Sequence, residues 1–367
     1  MINKLVVENL KHRPVRTLLS MLAIGIEVTM VLTLVGLSYG MLEESARRTR
    51  GVGADIIVRP PSSSVLSLSG APMPEGLRKF FETVPGVSQV TGTVVQPIVI
   101  PESITGLNLD EFNRMSGGVR YIAGGPFRKS DDVLIDEYYA RQRKLKVGDK
   151  VNLLNRDWTV CGIVEPGKLS RIFVPLDTLQ ELTGNRGKLS QIYLKLADAA
   201  KVDEVANHLR NGIPELKGYQ IYTTEELASL ISIDNVPGLK AFISVIVGLA
   251  VVIGFLVVFL AMYTAVLERT REIGTLKAIG ASPGYVLNVL LRETAVLAIA
   301  GSLIGIGLSF VTRWLIETLV PASLQQKVVP EWWPLTTLIA VVGAGLGTLY
   351  PAWKAAKQDA IEALAYD

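Results

Sequence analysis

The chain has 367 residues, 49% of them hydrophobic and only 19% charged, with a mean hydropathy of +0.36 and a formal net charge of +3. That charged share falls below the roughly 25% of an ordinary soluble domain, and so small a net charge gives no footprint for a nucleic acid. The lone cysteine, Cys161, excludes an intrachain disulfide, and two histidines, His12 and His208, exclude a histidine-rich metal centre or an HExxH protease.

In chain order, residues 1–16 open with Ile2, Leu5, Val6 and Leu10 at helical spacing and Lys4, Glu8 and Lys11 opposite. This pattern predicts a short helix lying in a membrane interface. Residues 17–42 are apolar apart from Glu27. The run is longer than a signal-peptide core and lacks a small-residue cleavage site, so it reads as an uncleaved membrane helix. Three more helices are predicted at 241–266, 286–312 and 332–353, around the uncharged runs Ala241–Val266, Thr294–Thr312 and Trp332–Trp353. About 20 apolar residues suffice to cross a bilayer core.

Between the first two helices, residues 43–240 read as a mixed α/β domain. Strands are predicted at Ala54–Arg59, Val94–Ile100, Val133–Asp136, Val151–Leu154, Trp158–Val164, Ile172–Val174, Gln191–Leu196 and Tyr219–Tyr222. Helices are predicted at Glu75–Thr83, Ala199–Asn211 and Glu225–Ile233, and the Ser- and Pro-rich Pro60–Pro74 reads as a loop. The last helix, with a hinge at Pro237-Gly238, pairs with the extension of helix one as a stalk or is an ordinary linker. The expected fold class is therefore a membrane protein of four transmembrane α-helices with an inserted mixed α/β extracytoplasmic domain between helices one and two.

Basic residues set the orientation. Lys4, Lys11, Arg13 and Arg16, then Arg269, Arg271, Lys277 and Arg292, then Lys354 and Lys357 mark the N-terminus, the segment at 267–285 and the tail at 354–367 as cytoplasmic. The loop at 313–331 balances Arg313 and Lys327 with Glu317 and Glu331, and lies outside with the large domain. Arg47, Arg48 and Arg50 argue the other way, but long translocated domains largely escape the rule.

The segment Glu268-Arg269-Thr270-Arg271-Glu272-Ile273-Gly274-Thr275-Leu276-Lys277-Ala278-Ile279-Gly280-Ala281-Ser282-Pro283 is the most specific in the chain. Gly280 suits the left-handed residue that stops a helix, Ser282 an N-cap and Pro283 the first helical position. It reads as a helix, a sharp turn and a return helix displaying charges, or else as a solvated connector.

This segment resembles the signature after the second helix in permeases of the MacB/FtsX-like family of ABC transporters. Gly53-Ala54-Asp55-Ile56-Ile57-Val58, Val147-Gly148-Asp149 with Val160-Cys161-Gly162-Ile163, and Tyr350-Pro351-Ala352-Trp353-Lys354-Ala355-Ala356 with Ile361-Glu362-Ala363-Leu364 are similar to other stretches of the family. The resemblance covers nearly the whole chain. It implies a non-catalytic permease subunit of a bacterial cytoplasmic membrane that forms a homodimer and binds ABC ATPase subunits, which carry the ATP and Mg. A periplasmic adaptor is a further partner that it admits. It also implies that the turn couples ATP hydrolysis to movement of the outer domain for export or extraction, through Glu268, Arg269, Arg271, Glu272, Lys277 and Gly280. Other members of the family transmit a signal to a wall hydrolase and transport nothing, which is the alternative.

Gly184-Asn185-Arg186-Gly187-Lys188-Leu189-Ser190 mimics a phosphate loop but has Leu189 where Mg²⁺ needs a hydroxyl, so a surface turn is expected. Glu27 within a membrane helix costs roughly 3 kcal/mol on insertion scales. It serves helix or dimer packing, a substrate site with Met30, or is tolerated when protonated. The GxxxG pairs Gly36 and Gly40, Gly301 and Gly305, and Gly343 and Gly347 suit close helix packing, and Trp332, Trp333 and Trp353 suit interfacial anchoring.

Overall fold

The computed structural model describes residues 8, 14–61, 63, 72–99, 102–232, 235, 238–319 and 325–357. Most of the interfacial helix expected at 1–16, most of the Pro60–Pro74 loop, Pro237 and the tail beyond 357 lie outside them, and residues 14–16 belong to the first long helix. In chain order, α1 (Pro14–Arg50) is followed by β1 (Ile56–Arg59), β2 (Met73–Pro74), α2 (Leu77–Glu82), β3 (Val87–Val99), β4 (Glu102–Leu107), α3 (Leu109–Ser116) and β5 (Tyr121–Gly124). Then come β6 (Asp132–Asp136), α4 (Glu137–Arg143), β7 (Lys150–Leu153), β8 (Arg156–Val164), β9 (Ile172–Pro175) and α5 (Leu176–Leu182). After these follow β10 (Lys188–Leu189), β11 (Gln191–Leu196), α6 (Val202–Asn211), β12 (Gln220–Thr223) and α7 (Thr224–Leu230). The chain closes with α8 (Leu239–Glu268), α9 (Thr270–Ala278), α10 (Pro283–Leu319) and α11 (Trp332–Lys357).

Two compact units result: Met1–Tyr39, Gly238–Ile316 and Gln326–Asp367 form one, Gly40–Pro237 and Glu317–Gln325 the other. Among the described residues, α1, α8, α10 and α11 are the four helices long and apolar enough to cross a membrane. They pack around an apolar cluster that includes Ile24, Val28, Val258, Met262 and Ala344, with glycines at the closest crossings, as small residues allow in membrane bundles. A Cβ on Gly301 would lie 2.8 Å from the carbonyl of Met21, and one on Gly305 2.6 Å from that of Gly25. Only glycine lets α1 and α10 approach so closely. Thr29 fastens the same pair by donating to Gly305 O at 3.0 Å, and Thr33 meets Thr312 at 3.0 Å.

Gly347 plays the same part against α8, with Phe255 O at 2.8 Å, while Gly343 stands in ordinary contact with Val251 at 3.9 Å. Gly36 differs from the expectation of helix packing. Its close neighbour is the extended segment before α11, whose Lys327 N–H donates to Gly36 O at 2.9 Å. Gly40 is buried.

The outer unit is built on a ten-stranded sheet ordered β12-β1-β11-β3-β4-β9-β6-β8-β5, with β7 pairing β8. The pairs β4–β9 and β6–β8 are parallel and the others antiparallel. Both faces of the sheet are covered. Ile56, Val58, Val133, Ile135, Ile172, Val174, Ile192 and Leu194 belong to one core cluster, whereas the residues between them, Ile57, Leu134, Phe173 and Tyr193, belong to another. Strands buried on both sides become continuous apolar runs, which is why Ile56-Ile57-Val58 and Ile172-Phe173-Val174 are legible in the sequence.

The helix α1 continues past residue 42 to Arg50. Glu44 supports that extension by pairing with Arg47 and, at 3.1 Å, with Arg48, one turn on along the helix. The helix stops where the chain must turn into β1, at Gly53, whose φ is +75.

Candidate functional site

The turn between α8 and α10 is built from a few local choices. Arg269 alone interrupts the helix, with φ −111 and ψ 13, so α9 starts in a new direction. Gly280 ends α9 at φ +102, its N–H donating to Lys277 O and that of Ala281 to Leu276 O, both at 3.0 Å. Those paired bonds form a Schellman motif, which needs a residue without a Cβ at the turning point. Ser282 Oγ then accepts from Tyr285 N–H at 3.2 Å, capping α10 ahead of Pro283. Gly280, Ser282 and Pro283 therefore do what their order implied.

The charges separate into two sets. Arg269 was expected among the exposed ones, yet its side chain is 7% exposed and its guanidinium lies 3.3 and 3.2 Å from the two carboxylate oxygens of Glu293, itself 1% exposed. A buried charge persists only when paired and hydrogen-bonded, so Arg269 braces α9 against α10 from within. Lys277 is also turned inward. Its ammonium donates to Ala356 O of α11 at 2.9 Å, a charge-assisted hydrogen bond between α9 and α11.

Ile273 and Gly274 are buried beneath α9. Glu268, Arg271 and Glu272 are exposed. Ile279, an apolar side chain with no expected role, is 79% exposed at the tip of the turn. The turn is thus an outward surface of mixed charge and one apolar knob, held from behind by one ion pair and one hydrogen bond to a carbonyl.

In the membrane unit Glu27 occupies a slot left by Gly254. A Cβ at 254 would fall inside 3 Å of its carboxylate, and the carboxylate makes no hydrogen bond to a described residue. Met30 shares the exposed side of α1 with Ile26.

The outer unit holds the end of α1 firmly. Arg48 O accepts from Leu169 N–H at 3.1 Å, and Gly51 lies so close to Gly167 that a Cβ would clash with its carbonyl. Lys168 donates to Ser116 O at 2.7 Å and to Gly118 O at 2.5 Å, joining the β8–β9 loop to the end of α3. Beside them Asp136 caps α4 by accepting from Tyr139 N–H at 2.7 Å. Burial lifts its carboxyl to about 6, more than offsetting that hydrogen bond and the nearby Arg171 and Arg48 guanidiniums.

Arg50, the last residue of α1, forms a bidentate pair with Glu225 on α7 at 3.0–3.2 Å. The two predicted legs of the stalk are linked through it. The pair is exposed, and such contacts contribute at most about 1 kcal/mol. Gly184 and Gly187, both at φ +68, shape a turn before the short strand β10. The loop-like sequence there is the surface turn expected.

A family model described as the MacB-like periplasmic core domain matches residues 17–211, and one described as the FtsX-like permease C-terminal matches residues 244–360. The uncharacterized ABC transporter permease YknZ of Bacillus subtilis is 32% identical over 206 residues, covering 54% of this chain and 50% of that protein. The probable syringafactin export ATP-binding/permease protein SyfD of Pseudomonas syringae pv. syringae is 25% identical over 396 residues, covering 98% and 59%. The macrolide export ATP-binding/permease protein MacB of Photorhabdus laumondii subsp. laumondii is 24% identical over 385 residues, covering 95% and 58%. This chain spans between 50% and 59% of the length of these relatives.

Proposed function

This chain belongs to the MacB/FtsX-like family of ABC transporter permeases, and from that premise we propose that it is the permease subunit of an exporter driven by a separate ATPase. In this reading it forms a homodimer in a bacterial cytoplasmic membrane, with both termini inside and the α/β domain outside. ATP-driven closure of two ATPase subunits pushes on the turn at 268–283, and the four helices pass that push to the outer domain. Substrate is moved by the outer domain instead of through a pore within one chain.

One observation carries the reading. The pairs Arg269–Glu293 and Lys277–Ala356 O lock α9 onto α10 and α11, while Glu268, Arg271, Glu272 and Ile279 remain outward. A surface element that receives force must be rigid behind and accessible in front. At the other end of the path, α1 is one unbroken helix into the outer unit, where Leu169, Gly167 and the Arg50–Glu225 pair grip its end.

Two of the coupling candidates thereby change part: Arg269 and Lys277 position the turn, and Arg271, Glu272 and Ile279 meet the ATPase. Glu27 is read as a packing group that seats α1 against Gly254 of α8. Purified alone, the chain is expected to hydrolyse no ATP and, co-expressed with an ABC ATPase subunit, to be recovered in a complex with it. Robust hydrolysis by the isolated chain would contradict this reading.

A further inference from the structure

The end of the membrane unit that carries the turn also bears a groove that the coupling reading does not use. It is an open apolar hollow of about 370 Å³ lined by Leu287 of α10 and Leu349, Tyr350 and Trp353 of α11. Two ammonium groups stand at its rim. Lys357 Nζ lies 4.4 Å from the centre of the Trp353 ring, and Lys354 Nζ lies 5.3 Å from that of Tyr263 and donates to its hydroxyl at 3.4 Å. Neither lysine forms an ion pair with a described residue. Each ring holds its cation by a cation–π contact, and among the described residues no carboxylate neutralises either charge.

Below the groove the apolar surface continues. Val342, Leu346, Leu349 and Trp353 are each about half exposed and recur every three or four residues, so they form one stripe along α11. From Val342 to Trp353 the stripe runs about 17 Å at 1.5 Å per residue. That is close to half of a hydrocarbon core of about 30 Å, the depth reached by an acyl chain of one leaflet. The stripe ends where the lysines begin.

We propose that this groove binds one anionic phospholipid from the leaflet on the side of the turn, with its phosphate between Lys354 and Lys357 and an acyl chain along Leu349, Leu346 and Val342. A zwitterionic lipid satisfies the apolar stripe equally well but leaves the two cations without net compensation. A soluble anion satisfies the cations but leaves the stripe uncovered. Only an anionic amphiphile answers both, and the membrane supplies it in excess. Bound there, it joins α10 to α11 beside the contact that Lys277 makes with Ala356 O.

The test uses the full chain in mild detergent, titrated with phosphatidylglycerol or with phosphatidylcholine of the same acyl chains and read by native mass spectrometry. The wild type is expected to bind one phosphatidylglycerol about tenfold more tightly than phosphatidylcholine. The variant Lys354→Gln/Lys357→Gln, in which both changes are exposed, loses that preference. The variant Leu349→Trp fills the groove but keeps both lysines, and weakens binding of both lipids. Equal binding of the two lipids to the wild type overturns the proposal, as does a preference that survives in the lysine double variant. Displacement of the lipid by millimolar inorganic phosphate also overturns it, in favour of a soluble anion.

Discussion

Arg269, the one residue between α8 and α9, is held by Glu293 of α10 through two buried hydrogen bonds of 3.3 and 3.2 Å, with the exposed Glu272 a further 3.6 Å neighbour. A charge pair in such a place contributes little net stability, yet removing one member strands the other at a cost of about 3–5 kcal/mol. Replacing both by apolar residues of similar volume is close to neutral. Arg269→Met or Glu293→Leu alone should therefore lower the melting temperature of the purified chain sharply, and the double variant should recover most of the loss. Single losses that simply add in the double variant would show that the two residues do not act as a pair.

Ile279 gives the complementary expectation. At 79% exposed it supports nothing inside this chain, so Ile279→Asp should change stability by no more than about 0.5 kcal/mol. Recovery of the ATPase subunit with the tagged permease should nevertheless fall several-fold, and reversal of charge at Arg271 and Glu272 should act in the same direction. Undiminished co-purification with an unchanged melting curve would remove Ile279 from the contact surface.

Glu27 and Gly254 can be separated from general helix packing by a matched control. Gly248 and Gly254 both lie on α8, but a Cβ at 248 meets open space whereas one at 254 meets the Glu27 carboxylate. Gly254→Val should destabilise the chain by about 1–3 kcal/mol through overpacking, Gly248→Val should not, and Glu27→Ala should relieve much of the defect at 254. Thermal melting in detergent measures all four variants, and equal losses at the two glycines would refute the slot.

Asp136 predicts a pH dependence with a definite sign. Its carboxyl titrates at about 6 in the folded chain against 3.8 as a free side chain, so the folded state holds the proton more tightly. The stability that this proton confers is full below about pH 4 and is lost as pH rises through about 6, by at most about 3 kcal/mol at 1.36 kcal/mol per unit. Asp136→Asn keeps an N-cap acceptor for Tyr139 N–H. It should match the wild type near pH 4 and exceed it above pH 6, as followed by denaturant or thermal unfolding across that range.

The four membrane helices and the α/β character of the insertion are legible in the sequence because each depends on runs of composition. The strands buried on both faces, such as Ile172-Phe173-Val174, are visible for the same reason. The short helices α3, α4 and α5 escape notice because seven or eight residues carry too little periodicity. In the turn, Gly280, Ser282 and Pro283 act locally and are readable.

The buried partner of Arg269 stands on α10 and the carbonyl that Lys277 meets on α11. An arginine or lysine in a charged stretch looks solvated until tertiary structure supplies what faces it. Gly36 fails for a related reason, since an extended segment and not a helix fills the space beside it.

If force applied at the turn moves the outer domain, the distance between the two outer domains of the proposed dimer reports on it directly. With Cys161 replaced by Ser and a spin label at Arg120→Cys, whose parent side chain is 83% exposed, pulsed electron resonance measures that distance in the complex with its ATPase. The expected result is a shift between the nucleotide-free and ATP-bound states that disappears in Ile279→Asp. An unchanged distance in a wild-type complex that hydrolyses ATP and exports its substrate would contradict it.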